Sequence, residues 1–102
     1  MEFASKLLDS ENRMTKSIYI KCRVTRGFWD SEFYVVVGDT SLFVDRENVK
    51  VEKAPEVNAE VEGRVAAFLL RQDAEKALVE LSGEPVVGGL RQWVPLQALA
   101  NG

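Results

Sequence analysis

The chain has 102 residues, of which 46% are hydrophobic, and its 13 basic and 16 acidic residues leave a net charge of −3 at pH 7. This size and apolar fraction predict one globular domain with one hydrophobic core. The absence of histidine excludes His-based catalytic triads and His-ligated metal sites. Cys22 is the single cysteine, which excludes an internal disulfide and favours a reducing, cytoplasmic compartment.

Residues 1–16 are predicted to form an N-terminal arm that is either a short helix or a disordered segment. Phe3, Leu7 and Leu8 fall on one side of a helix, and the polar run that follows favours a turn. A helix of this length is only marginally stable in water by itself. The arm lacks the basic start and continuous apolar stretch of a secretory signal, and the longest apolar run of the chain is much shorter than the ~20 residues of a membrane span.

The first half of the body is predicted to consist of strands. Apolar and polar side chains alternate over residues 18–24, which indicates a strand with one buried face and makes Cys22 a small buried side chain. Residues 26–31 break this pattern and predict a loop around a glycine. Residues 33–37 are β-branched and aromatic, and a tight turn separates them from a short strand at residues 42–44.

The second half follows a proline-containing connector at residues 53–56. Residues 59–70 predict a long bent strand, and Gly63 within it predicts a bulge or sharp bend. Residues 77–81 and 90–94 predict two further strands, separated by glycine and proline turns. No segment has the pattern of a βαβ crossover, so we expect an antiparallel sheet.

Two stretches of the chain, residues 33–49 and 77–99, repeat one pattern. In each, an aromatic–Val pair ends a strand, and an apolar residue follows five positions after the Val. The matching residues are Phe43, Val44 and Val49 in the first stretch, and Trp93, Val94 and Leu99 in the second. Duplication and chance convergence both explain the repeat. We expect one domain at residues 17–102, built from halves at 17–53 and 58–102 that share one core or complete it by dimerising.

The stretch KALVELSGEPVVGGLRQWVPLQAL, residues 76–99, resembles the second half of SH3-like small barrels. In these barrels a strand, a loop and a strand lead into Val-Pro, a single helical turn and Leu, which correspond here to Trp93-Val94-Pro95 and Leu99. The resemblance covers about a quarter of the chain, and many unrelated families use this barrel. Six or seven short strands with glycine and proline turns predict a mainly β fold, a small antiparallel barrel or sandwich that follows the short N-terminal helical or flexible arm. The resemblance implies that this domain is an SH3-like barrel.

The same stretch is similar to the type II dihydrofolate reductases, which are SH3-like barrels that assemble into a tetrameric pore. Gln92 matches the pore-lining glutamine of that family, and Pro95 and Leu99 are in register with it. Val94 stands where the family has its pore tyrosine, and Trp93 stands where it has an isoleucine. This resemblance implies a pore-type oligomeric reductase as one functional alternative.

Two adjacent aromatic residues, Phe28 and Trp29, lie in the loop after the first strand. They cannot both point into the core from one strand face, so at least one is expected to be exposed beside Arg26, as in a protein-interface hot spot. Alternatively, both fold over an open end of the barrel. Arg91 and Trp93 alternate on one face of the last strand and are predicted to extend the same surface. The leading hypothesis is therefore a non-catalytic module that binds an unidentified protein partner.

The outer face of the first strand is basic and partly aromatic, which suggests nucleic-acid binding as an alternative. The residues are Tyr19, Lys21, Arg23 and Arg26. Carboxylates follow closely at Asp30, Glu32 and Asp39, and the negative net charge argues against a phosphate-binding domain. The other interpretation is an ordinary solvated strand face.

The sequence predicts no catalytic residue, metal ligand or cofactor. Glu60 and Glu62 share a strand face, but no histidine or other group stands at a fixed spacing from them. The glycines of the second half flank turns and do not form a phosphate-binding motif. We therefore expect a protein that is not an enzyme and has no membrane partner, with a homodimer as an open alternative because short barrels often pair exposed edges.

Overall fold

The structure is a computed structural model that describes residues 16–100. The predicted N-terminal arm lies outside these residues except for Lys16, which begins the first strand. The strands of the described part are β1 Lys16–Arg26, β2 Glu32–Val37, β3 Thr40–Asp45, β4 Val49–Lys50, β5 Val61–Gln72, β6 Lys76–Leu81, β7 Glu84–Val87, β8 Arg91–Pro95 and β9 Leu99–Ala100. Single-turn 3-10 helices occupy Arg46–Asn48 and Leu96–Ala98. No helix within residues 16–100 is long and apolar enough to cross a membrane.

The strands form one antiparallel sheet that curls into a half-barrel. Its main path has the order β7-β3-β2-β1-β5-β6-β8, and the short strands β4 and β9 pair with β5 and β1. The predicted mainly β, antiparallel fold is therefore confirmed. Three short strands were not predicted, namely β4, β7 and β9. Pro85 favours a turn in the segment of β7, but β7 is the outermost strand of the path, where a proline is tolerated.

The sequence repeat corresponds to a repeated topology. The order of long strand, second strand, third strand, 3-10 helix and short strand occurs as β1-β2-β3-β4 and again as β5-β6-β8-β9. The two long strands pair at the centre, with Ile20 opposite Val65. Val49 on β4 then pairs with Val65, and Leu99 on β9 pairs with Ile20. Each half therefore places its last strand on the long strand of the other half.

The buried hydrophobic side chains form one cluster to which both halves contribute. Its fully buried large members include Ile20, Leu42, Val65 and Leu81. Cys22 belongs to this cluster and is only 7% exposed, which confirms the prediction of a small buried side chain. Burial raises the pKa of the Cys22 thiol to about 12, so the reactive thiolate is not formed near neutral pH.

The long strand predicted at residues 59–70 is present as β5, but the bulge that was one alternative at Gly63 is absent from its pairing with β1. Pairing between β5 and β1 continues through Gly63, which lies opposite Cys22. The register shift occurs farther along, between Leu69 and Arg71, where β5 pairs with β6. Gly63 is required for a different reason: a Cβ there would lie 2.9 Å from the carbonyl oxygen of Lys50, where the chain leaves β4.

Candidate functional site

The loop between β1 and β2 is held closed by Glu32, the first residue of β2. The Glu32 amide donates a hydrogen bond to the Trp29 carbonyl oxygen at 3.2 Å, and its carboxylate Oε2 accepts one from the Phe28 amide at 3.1 Å. Gly27 allows this close approach, because a Cβ there would lie 2.9 Å from the Glu32 carbonyl oxygen. Within this closed loop Phe28 is 82% exposed and Trp29 is 71% exposed. Both aromatic side chains are thus largely exposed to solvent.

Phe28 is exposed to solvent but packs against a neighbouring ring. Its ring centroid lies 5.2 Å from that of Phe43, which in turn lies 5.2 Å from that of Tyr34. Tyr34 on β2 and Phe43 on β3 are cross-strand partners, so they share the outer face of the sheet. We call Phe28, Trp29, Tyr34 and Phe43 the aromatic surface. Ring pairs of this kind contribute about 0.5–1.5 kcal/mol beyond their buried area, so the contact with Phe43 favours the observed position of Phe28.

Carboxylates border the aromatic surface on one side. A cleft of about 260 Å³ beside Phe43 is lined by Glu32, Asp45 and Glu84. Glu32 and Asp45 are directly opposed across β2 and β3, and Glu84 stands opposite Phe43. Like charges opposed in this way repel each other, so a positive group in the cleft would be stabilised. Within residues 16–100 no group of His, Cys, Asp and Glu is arranged to hold a metal ion.

Two arginines hold the loop in place from either side. Arg26 Nε donates a hydrogen bond to the Pro55 carbonyl oxygen at 3.2 Å, which ties the end of β1 to the connector between the halves. Arg46 Nη1 donates to the Asp30 carbonyl oxygen at 2.9 Å, and its guanidinium lies 4.6 Å from the centre of the Phe33 ring. Sequence reasoning missed Arg46, because only the folding of β3 back along β2 brings it to this loop.

Arg91 and Trp93 lie on the outer face of β8 and not beside the aromatic surface in the sheet, since β1, β5 and β6 separate β2 from β8. Trp93 is 42% exposed, and the Lys76 Nζ atom lies 5.1 Å from its ring centre. Arg91 Nε is 2.6 Å from Glu80 Oε1 in an exposed ion pair. The outer face of β6 and β8 in the second half corresponds to the outer face of β2 and β3 in the first half, and Trp93 takes the place of Phe43.

The two outer faces differ in charge. In the first half Tyr34 is opposite Phe43, and Val36 is opposite Ser41. In the second half the matching pairs are Leu78 with Trp93 and Glu80 with Arg91. These two pairs are uncharged in the first half, whereas in the second half an ion pair takes the place of Val36 and Ser41.

Gln92, which resembles a pore-lining glutamine, lies on the opposite face of β8 from Trp93. It occupies the position that Leu42 has in the first half, since Val79 pairs with Gln92 as Val35 pairs with Leu42. Its amide Nε2 is buried and finds no hydrogen-bond partner among the described residues. The amide is thus turned toward the β2–β3 turn of its own chain, where a Cβ at Gly38 would lie 3.1 Å from Gln92 Oε1.

Gln92→Leu is expected to raise the free energy of unfolding by about 1 kcal/mol, because a buried donor without a partner costs on that order. Leucine is the residue that the first half carries at this position. Denaturant unfolding would measure the change, with Gln97→Leu as a control at an exposed glutamine of the same half. A loss of stability in Gln92→Leu would show instead that the amide makes a favourable polar contact.

The four residues predicted for nucleic-acid binding on β1 have different surroundings. Arg26 is bonded to the connector, and Arg23 Nε lies 2.6 Å from Glu60 Oε1 in an exposed ion pair. Tyr19 has the Lys50 Nζ atom 4.6 Å from its ring centre, and Lys21 stands opposite Arg64. Sequence reasoning missed Lys50 and Arg64, because they come from strands distant in the chain and only the sheet register brings them beside Lys21.

Comparisons with models of protein families, with curated proteins and with solved structures found no match to this chain. The architecture is that of a small antiparallel β half-barrel, consistent with a small barrel fold.

Proposed function

We propose that the chain is a non-catalytic protein-interaction module that docks one partner segment on the aromatic surface. The observation that carries this proposal is the exposure of two adjacent large aromatics, 82% for Phe28 and 71% for Trp29, in a loop closed by hydrogen bonds. Aromatic side chains dominate the binding energy of protein interfaces, and a fixed loop loses little conformational freedom on binding. A cytoplasmic location fits this proposal, since the single thiol is buried and needs no oxidising compartment.

The charges around the aromatic surface indicate the chemistry of the partner. Asp30 in the loop is exposed, and the cleft beside Phe43 is lined by three carboxylates. The partner segment therefore carries an apolar side chain that packs on Phe28 and Trp29, next to a Lys or Arg that enters the cleft. Charge complementarity of this kind contributes chiefly to association rate and specificity, while the aromatic contacts supply most of the affinity.

Trp29→Ala is expected to leave the melting temperature unchanged and to weaken partner binding by about 30-fold, the effect of losing a ~2 kcal/mol hot spot. The control is Trp93→Ala, which removes the same side chain from the second half. Capture from a lysate with the wild type and both variants would first isolate a candidate. Calorimetry with the purified candidate and each variant would then measure affinity.

The proposal requires that wild type and Trp93→Ala bind equally, that Trp29→Ala binds weakly, and that added salt slows association. Loss of binding in Trp93→Ala alone would move the docking surface to the second half. A lower melting temperature of Trp29→Ala would make this residue structural and contradict the proposed surface.

A further inference from the structure

Three basic side chains stand side by side across the adjacent strands β1, β5 and β4. Lys21 on β1 is directly opposite Arg64 on β5, and Arg64 is directly opposite Lys50 on β4. All three are exposed. Opposed residues on neighbouring antiparallel strands have Cβ atoms about 5 Å apart, a spacing at which like charges destabilise the pairing.

These side chains border a cleft of about 820 Å³ between the end of β4 and the start of β5. Four basic residues line it, Lys21, Lys50, Lys53 and Arg64, against two acidic ones, Glu52 and Glu62. Glu62 stands opposite Arg23, which forms an ion pair with Glu60, so the cleft lining keeps two more basic than acidic residues. A chain with a net charge of −3 thus carries a local excess of positive charge here.

The second copy of the motif shows that the fold does not need these charges. Tyr19 pairs with Ala66 and with Ala100, just as Arg64 pairs with Lys21 and with Lys50. Each half thus has a crossing, the place where its last short strand pairs with the long strand of the other half, and the repeat relates the two crossings. In the second crossing Ala66, Tyr19 and Ala100 take the places of Lys21, Arg64 and Lys50. Small or uncharged side chains therefore satisfy the strand pairing, so the fold itself does not account for the lysines of the first row.

We propose that this cleft binds a small phosphate-bearing ligand, with Lys21 and Lys50 as its anion-binding side chains. The two lysines supply point charges that can donate charge-assisted hydrogen bonds to phosphate oxygens. A polymer backbone would need a continued basic track, but Glu52 and Glu62 border the row. The site is separate from the aromatic surface and does not depend on the proposed protein partner.

The test titrates pyrophosphate and inorganic phosphate into the full chain by calorimetry, with sodium chloride at equal ionic strength and a ten-nucleotide single strand as comparisons. The variants are Lys21→Ala and Lys50→Ala, each of which introduces the residue that the other crossing carries. Lys50→Ala also removes the contact with the Tyr19 ring, whereas Lys21→Ala is free of that effect. Arg71→Ala, which removes one exposed positive charge from the far end of β5, is the control.

We expect pyrophosphate to bind the wild type at one site and each lysine variant about 10-fold more weakly, as for the loss of one charge-assisted hydrogen bond. Arg71→Ala should bind like the wild type, and without phosphate Lys21→Ala should melt no lower than the wild type. Equal heats with chloride, or unchanged affinity in both lysine variants, would overturn the proposal. Tighter, salt-dependent binding of the oligonucleotide than of pyrophosphate would also overturn it, in favour of a nucleic-acid backbone.

Discussion

Leu42→Ala and Leu81→Ala are each expected to lower the free energy of unfolding by about 3 kcal/mol, the usual cost of removing a buried leucine side chain. Leu42 is 0% exposed and belongs to the first half, while Leu81 is 1% exposed and belongs to the second. Because β4 pairs with β5 and β9 pairs with β1, neither half can lose its packing without disturbing the other. Each variant should therefore destabilise the whole chain in one transition.

Tryptophan fluorescence can follow the halves separately, since Trp29 lies in the first half and Trp93 in the second. In a Trp29→Phe background the signal reports the second half, and in a Trp93→Phe background it reports the first. We expect coincident denaturant midpoints in both backgrounds, each shifted by Leu42→Ala and by Leu81→Ala. Val57→Ala, at a position that is 65% exposed, serves as the control. If the denaturant midpoint reported by Trp29 differed from the one reported by Trp93, the two halves would be independently folding units.

Gly83→Ala is expected to lower the free energy of unfolding by about 2 kcal/mol, in the range of substitutions that force the backbone to move. Gly83 lies where the chain leaves β6 and crosses to β7, at the opposite end of the sheet path. A Cβ there would clash with the Phe43 carbonyl oxygen and would lie 3.0 Å from Leu42 Cδ1. Since a backbone oxygen cannot rotate away, we expect β7 to separate from β3.

Gly89→Ala is the matched control, because it lies in the same β6–β8 connection and a Cβ there would meet nothing within 4 Å among the described residues. Amide hydrogen exchange would show faster exchange along β3 in Gly83→Ala and wild-type rates in Gly89→Ala. The free edge of β3 should also increase self-association, as unpaired strand edges do. An equal loss of stability in Gly83→Ala and Gly89→Ala would contradict the close approach of Gly83 to the Phe43 carbonyl oxygen.

The unpredicted strands have a common physical explanation. A period-2 pattern needs several residues to become visible, and β4 and β9 have only two residues each. All four residues of β7 are exposed, so this strand has no alternation of buried and exposed positions. Pattern analysis identifies strands that present one face to a core, and none of these three has such a pattern.

The candidate surfaces were predictable to different degrees. Phe28 and Trp29 were recognised because adjacent aromatics conflict with strand alternation, a local property. Their surroundings, the Phe43 ring and the Arg46 bond to the loop, depend on how β3 folds back along β2. The Lys21, Arg64 and Lys50 row was not visible in the sequence, since its members lie on three strands far apart in the chain.

The sequence by itself determined the six longer strands, the residues by which they face the core and the repeat of the aromatic–Val pattern, because side-chain alternation is a property of each strand alone. Only the tertiary structure decided which strands are neighbours and in what register. It set the crossing of β4 and β9 onto the opposite half, the crossing of β7 to β3, and the charges that meet across β1, β5 and β4. Such pairings depend on burying one shared core, and that free energy belongs to the whole chain and not to any segment of it.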